Sequence, residues 1–338
     1  NGKKEGVVQV IDNNLFFDNN YYLSYNVKKE VKILVIKGED AIPNIEMVLD
    51  LDNYFSHTSK EITSITKDDF NEKDLVIING IKLLSNGISN FLSEFSETGG
   101  SIVLFPGRTP NKFNWNTLLQ ILKLPTIGQK VSSGTKINRI NYEDPFFNGV
   151  FEKNTQKLNL PSVNIAYNSI VSNQSMASPL ILLQNGLSLF SVANNKGASY
   201  MFYSSLHSDF GNFSKDALFS TILLRSSELS QRKQPEFIII GEETKFPVYE
   251  KIDDNKPIHI KNDDIDFIPR SSSTSGIHYI SLKNQDILEQ LKAGNYSLEN
   301  DKKIGVISLN YHRQESKLNT TSAEDIKSKL TQLGAKNI

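Results

Sequence analysis

Cysteine is absent from the sequence. That excludes disulfide bonds, cysteine-ligated zinc and any mechanism that needs a thiolate nucleophile. It does not fix a compartment, because proteins on either side of a membrane can lack the residue. An excess of one charge is lacking too: 37 Lys+Arg stand against 38 Asp+Glu, for a formal net charge of -1. Neither sign is concentrated in one half, so there is no electrostatic case for nucleic acid or for anionic lipid, and no nucleic-acid partner is expected. Long apolar runs are missing as well. Ile33-Leu34-Val35-Ile36, Leu75-Val76-Ile77-Ile78 and Phe237-Ile238-Ile239-Ile240 fall far short of the roughly 18 residues needed to cross a bilayer, and read as buried strands. No charged segment followed by an apolar stretch opens the chain as a secretion signal would. A start at Asn1 and an end at Ile338, just after a helix-like pattern, predict a segment of a longer protein.

At 338 residues the chain exceeds what one core usually organises, and roughly two or three domains are expected. Val7–Ile11 and Leu15–Phe17 read as a hairpin across Asp12-Asn13-Asn14, followed by a strand over Tyr21–Val27. From Lys32 the pattern changes to short apolar strands separated by amphipathic stretches, as a parallel sheet covered on both faces requires. Strands are predicted at Lys32–Lys37, Ile62–Ile65, Asp74–Asn79 and Ser101–Phe105. A helix from Pro43 would bury Ile45, Val48, Leu49 and Leu51; one capped by Ser85 would bury Ile88, Leu92 and Phe95 before Gly99-Gly100 ends it. A third helix, Asn114–Leu122, precedes an irregular insertion running to about Leu183. A hairpin over Leu187–Leu206 and a helix over Lys215–Leu229 close the α/β region.

After the polar, proline-ended stretch Ser230–Pro235, short β-branched segments predict a smaller antiparallel, sandwich-like β-domain. Its Ser271–Gly276 run reads as a mobile loop, and Thr321 or Ser322 caps a final helix over Ala323–Leu333. The predicted domains are residues 1–28, 29–232 and 233–338, with 1–28 a candidate to complete the last. In that case the α/β domain is an insertion within one β-module.

The stretch Asp74–Gly80, a helix, Gly99-Gly100 and the strand Ser101–Phe105 leading to Pro106-Gly107 resemble the centre of class I glutamine amidotransferase-like domains, which have a flavodoxin-like parallel sheet. The resemblance implies a cysteine on the turn after that strand and a later His-x-Glu pair. Here Phe105 or Pro106 holds the nucleophile position, and His207-Ser208-Asp209 follows the late strand with aspartate in place of glutamate. Neither Ser101 nor Thr109 is placed as a substitute nucleophile. A base and its orienting group without a nucleophile cannot form an acyl-enzyme, so amidotransfer is not expected.

The wider order is similar to the extracytoplasmic region of BatA-like bacterial membrane proteins, those with an aerotolerance-regulator N-terminal domain. It comprises strands ending in Phe17–Tyr22, the amidotransferase-like domain, and a β-domain with Gly294-Asn295-Tyr296 and Ser308–Ser316. That resemblance implies membrane helices outside this sequence, a periplasmic location and protein partners.

Other chemistry finds little support. The five histidines lack zinc-ligand spacing, Asp253-Asp254 and Asp263-Asp264-Ile265-Asp266 lack the glycine and distal glutamate of a calcium loop, and no metal site is expected. There is no phosphate-loop, dinucleotide or nucleophile-elbow motif, so no cofactor is expected. Arg108 could place a cation at the carboxyl edge of the sheet, or be an ordinary surface residue. Two functions remain: a non-catalytic interaction or scaffold region, or a hydrolase or small-ligand binder with His207 and Asp209 as base and orienter and Arg108 as an anion contact.

Overall fold

The computed structural model describes residues 2–11, 19–151, 160–232, 234–242, 245–250, 252–274, 277–282, 291–313 and 322–333. The chain divides into two compact units. One consists of Val27–Lys233 with the short stretches Asn1–Gly2 and Thr274–Ile277; the other combines Lys3–Asn26, Gln234–Ser273 and His278–Ile338.

In chain order, a hairpin of β1 (Gly2–Gln9) and β2 (Asn20–Val27) comes first. The tip assigned to Asp12–Asn14 and the strand Leu15–Phe17 lie outside the described residues. The α/β unit then runs β3 (Val31–Lys37), α1 (Asn44–Leu49), β4 (Phe55–Glu61), β5 (Leu75–Ile81), α2 (Asn86–Glu97), β6 (Ser101–Pro106) and α3 (Lys112–Ile121). It continues through β7 (Thr126–Val131), β8 (Ile137–Ile140), β9 (Ala166–Ile170), β10 (Ala177–Leu183), β11 (Ser188–Asn194), β12 (Ala198–Phe202) and α4 (Ala217–Leu229).

Eight of these strands form one sheet in the order β4-β3-β5-β6-β12-β11-β10-β8. The first five are mutually parallel and the last three are added antiparallel. This is an α/β fold with a mostly parallel sheet. Because side chains alternate across a strand, β3 sends Val31, Ile33 and Val35 to one face and Leu34 and Ile36 to the other. The first face packs on α1 and α4 through Ile45, Leu49, Phe219 and Ile222. The second packs on α2 and α3 through Leu92, Phe95, Trp115 and Leu118. β5 and β6 are buried along their whole length, and burial on both faces is what makes them mostly apolar, each apolar side chain contributing about 1.5–3 kcal/mol.

Two sequence expectations change here. The second parallel strand is Phe55–Glu61, and Ile62–Ser64, predicted as strand, is a 3-10 turn. As the edge strand, β4 has one neighbour and half-exposed side chains, so it carries no apolar run to mark it. Leu51 lies beyond α1 and is 73% exposed rather than buried. Ser85 does cap α2, accepting from Ile88 N at 3.3 Å.

The second unit adds β13 (Ile238–Ile239), β14 (Lys245–Val248), β15 (His259–Lys261), β16 (Asp266–Phe267), β17 (Arg270–Thr274), β18 (Ile277–Ser281), β19 (Gly294–Asn300), β20 (Lys302–Asn310) and α5 (Ala323–Gln332). A five-stranded sheet, β13-β20-β19-β15-β16, and a three-stranded one, β14-β18-β17, line a single core that includes Phe246, Ile260, Ile280, Tyr296 and Ile307. β14 with β18, β15 with β16, β15 with β19 and β19 with β20 pair antiparallel, whereas β13 pairs parallel with β20. Of the run expected to be a mobile loop, Ser271–Thr274 is strand; a polar edge strand has the same composition as a loop, and Ser275-Gly276 lie outside the described residues.

The β1-β2 hairpin belongs to this unit. Asn310 Oδ1 accepts from Tyr22 N at 2.9 Å and its Nδ2 donates to Tyr22 O at 2.8 Å. Ser24 N donates to Glu236 O at 2.8 Å, and the Tyr21 and Phe237 rings meet edge-on at 5.1 Å. Ser322 caps α5, accepting from Asp325 N at 3.1 Å, while Thr321 is outside the described residues.

Candidate functional site

Parallel strands deliver the loops after β3, β5, β6 and β12 to one edge of the sheet. The chain order reverses between β3 and β5, with β4 on one side of β3 and β5 on the other. Ligands of open α/β sheets bind outside such a reversal point. Here the loops around it are hydrogen-bonded to one another. Gly38 N donates to Asn79 O at 2.9 Å, Asp40 N to Gly80 O at 3.0 Å, and Gly107 N to Ile81 O at 3.0 Å. The Asn79 side chain accepts from Ile42 N at 3.1 Å and donates to Ile42 O at 2.9 Å.

Two glycines permit this closeness. Gly80 has φ +70°, and a Cβ there would lie 2.2 Å from the Asp40 carbonyl carbon; a Cβ on Gly107 would lie 2.9 Å from Asp40 Oδ2. Both positions therefore exclude larger residues while the Asp40 loop stays in place.

Asp40 is the centre of the arrangement, and its side chain is 1% exposed. One oxygen accepts from the Arg108 backbone N at 2.8 Å and the other from Arg108 Nε at 2.8 Å. Burial pushes the carboxyl up, but the two Arg108 hydrogen bonds and the Lys82 and Arg108 charges outweigh it and hold the group below the ordinary aspartate range. The Asp40 hydrogen bond and charge in turn raise the Arg108 guanidinium. Tyr167 OH reaches the carbonyls of Gly107 (3.0 Å) and Arg108 (2.8 Å), fixing the same turn from β9, and burial raises its phenol strongly.

The residues singled out from the sequence fall into two groups. Phe105 and Pro106 end β6 as buried residues, with the Phe105 ring packed 5.8 Å from Phe202 and 6.0 Å from Phe219. They present no nucleophile. Ser101 sits at the opposite end of β6, accepting from Ala198 N at 3.2 Å, and Thr109 is exposed. Nearer the edge, Ser204 Oγ donates to Ile165 O at 2.7 Å and Ser205 Oγ accepts from His207 N at 3.3 Å.

His207, Asp209 and Arg108 come together: Asp209 Oδ2 lies 3.2 Å from His207 Nδ1 and 3.6 Å from Arg108 Nη1. His207 also heads the short 3-10 turn Ser208–Phe210, with Nδ1 accepting from Asp209 N at 3.3 Å. A ring nitrogen accepts from the amide only when unprotonated and donates to the carboxylate only when protonated, so protonation selects between these contacts. Arg108 is thus both a partly exposed residue and an internal ion-pair partner.

Sequence reasoning missed Asp40, Asn79 and Tyr167. Asp40 had one usable signal, a carboxylate three residues after a buried strand, at the edge where polar groups of α/β sheets converge. The other histidines pair with single acids, as in His57–Asp50 (3.0 Å) and His259–Asp266 (2.6 Å). Among the described residues no three His, Asp or Glu side chains gather to hold a metal, and no helix is long and apolar enough to cross a membrane.

No protein-family model matches the chain, and no curated protein sequence matches it. Solved structures do. A cytoplasmic protein of Salmonella typhimurium aligns at 13% identity over 68% of this chain and 97% of its own, with a TM-score of 0.46. A ThuA-like protein of Bacteroides uniformis aligns at 12% identity over 61% of this chain and 94% of its own, with a TM-score of 0.43. A glutamine amidotransferase of Thermotoga maritima aligns at 10% identity over 60% of this chain and 99% of its own, with a TM-score of 0.37. These scores transfer no residue role and no activity. The chain's neighbours nonetheless include ThuA-like and glutamine amidotransferase structures.

Proposed function

We propose that this chain is a non-catalytic, protein-binding scaffold region of a bacterial membrane protein, built on a degenerate amidotransferase-like domain. The observation that carries it is the sheet edge itself. Its loops are bonded to each other, the nucleophile position holds buried Phe105 and Pro106, and the Nε edge of Arg108 is engaged by Asp40. Membrane attachment through segments outside this sequence, an extracytoplasmic location and the BatA-like relationship rest on sequence resemblance and belong to the same proposal. So do protein partners.

The convergence of His207 and Asp209 at 3.2 Å, with Arg108 beside them, favours a second reading, hydrolysis or ligand binding at this edge. One assay separates the scaffold from the hydrolase. The purified chain and its His207→Ala variant are offered chromogenic glutamine anilides and p-nitrophenyl esters. No turnover above buffer is expected; turnover lost in His207→Ala would overturn the scaffold reading. For location, the full-length protein is expected in the membrane fraction, with this region cleaved by protease added outside the cytoplasmic membrane. Recovery in the soluble cytoplasm would refute the anchoring.

A further inference from the structure

We propose that the exposed end of the Arg108 guanidinium, with the His207 ring beside it, binds a small oxyanion of phosphate or carboxylate type, and that the Asp209 carboxylate occupies that anion's place in this structure. The proposal rests on the ligand-binding form of the second reading above, and it is tested by binding rather than turnover, so its failure is distinguishable from that of the scaffold reading.

The argument starts from how Arg108 is held. Asp40 takes the backbone N and Nε of the same residue, both at 2.8 Å, from a position sealed against solvent. This fixes the guanidinium without engaging its terminal nitrogens. Nη1 reaches Asp209 only at 3.6 Å, beyond hydrogen-bond distance, and among the described residues nothing bonds Nη2. The side chain remains 43% exposed. A guanidinium that is oriented in advance, with donors to spare, binds a carboxylate or phosphate with little further ordering cost.

The surroundings fit an anion. His207 Nδ1 lies 3.2 Å from the Asp209 oxygen that faces Arg108, so a free oxyanion seated slightly closer to Arg108 than that oxygen would reach both side chains. Lys82 adds positive charge close enough to lower Asp40. Asp209 itself can leave: it is 62% exposed, on a three-residue 3-10 turn, and holds Arg108 by a long contact rather than a hydrogen bond. The glycines at 80 and 107, which let Asp40 sit against the turn, complete a support whose outcome is one arginine aimed outward.

The test is a titration at constant ionic strength with inorganic phosphate and, separately, with succinate, following the Arg108 Nε–H and His207 ring resonances by NMR. Saturable shifts with at least one probe are expected. Asp209→Asn, which removes the competing carboxylate, should tighten binding by about threefold or more, a gain that damage to the fold would not produce. Arg108→Gln should weaken binding by roughly tenfold or more. Because that change leaves Asp40 buried without its cation, the double variant D40N/R108Q is measured beside it and should show the same loss. Saturation with phosphate alone assigns a phosphate-bearing ligand, and saturation with succinate alone a carboxylate. Non-saturating shifts that are alike in all variants mean an adventitious ion only and overturn the proposal. Unchanged or weaker binding in Asp209→Asn overturns it too.

Discussion

The two units solve the burial of a sheet in different ways. In the α/β unit the central strands are covered on both faces, so β5 and β6 are buried along their whole length and two separate cores form, one per face. In the β unit two small sheets share one core, and β19 alternates buried with half-exposed residues. Ion pairs show the same contrast: the α/β unit seals Asp40 beneath Arg108, whereas in the β unit Lys261 bridges Asp266 and Glu299 at the surface, each at 3.3 Å. A sheet with two covered faces has only its strand ends left for polar chemistry, and there the unit concentrates its buried charge.

The largest effect that would test this contrast comes from the core beneath the end of β6. Phe105→Ala should cost about 3–5 kcal/mol in the α/β unit. Urea unfolding read by the fluorescence of Trp115, the chain's single tryptophan, should show it. A second transition, read by circular dichroism from the β unit, should stay in place; if both move together, the units do not unfold independently. Asn79→Ala should cost about 2 kcal/mol in the same transition, because it leaves both the N–H and the C=O of Ile42 without their partner. A cost as small as that of an exposed polar residue would show that the loops are held without this bridge.

Acid sharpens the comparison further. The carboxyl of Asp40 is lowered in the folded state, so the stability it contributes is complete above the ordinary aspartate range near pH 4. It is lost as pH falls through the lowered folded value. Asp40→Asn should therefore flatten the acid limb of the α/β transition, and an unchanged limb would mean that other carboxylates set it. The smallest effect is expected at Lys261. Lys261→Ala should barely shift the β-unit midpoint at low salt, and not at all at high salt, since exposed pairs are screened. A shift that persists in salt would break the distinction between sealed and surface charge.

The same contrast explains what the sequence disclosed. Continuous apolar runs mark β3, β5 and β6 because both their faces are buried. β4 lacks that mark, and the sequence places its strand several residues late, since Phe-Ser-His-Thr-Ser-Lys-Glu has a neighbour on one side only and its side chains stay half-exposed. β17, with its serines, reads as a loop for the same reason. At the site, His207, Asp209 and Arg108 were legible individually, because residue type and the end of a strand are local signals. Their meeting is offered by the sequence only as one of two readings, since it depends on β12 lying beside β6. Asp40 carries only the weak signal of its place after a buried strand, because the partner that identifies a buried carboxylate is 68 residues away.

The β unit joins Lys3–Asn26 to stretches that begin only at Gln234, with most of the α/β unit between them in sequence. At roughly 5–20 residues per second on a ribosome, on the order of tens of seconds separate the hairpin from the strands it joins. Through that interval β2 lacks Glu236, Phe237 and Asn310, the residues that receive its backbone and its tyrosines. Val7, Val8, Val10 and Ile11 remain exposed even in the finished fold, so the nascent hairpin is a sticky segment awaiting its partners. The hairpin is therefore made well before the strands that finish it, and chaperone demand during synthesis should track that segment rather than the larger α/β unit.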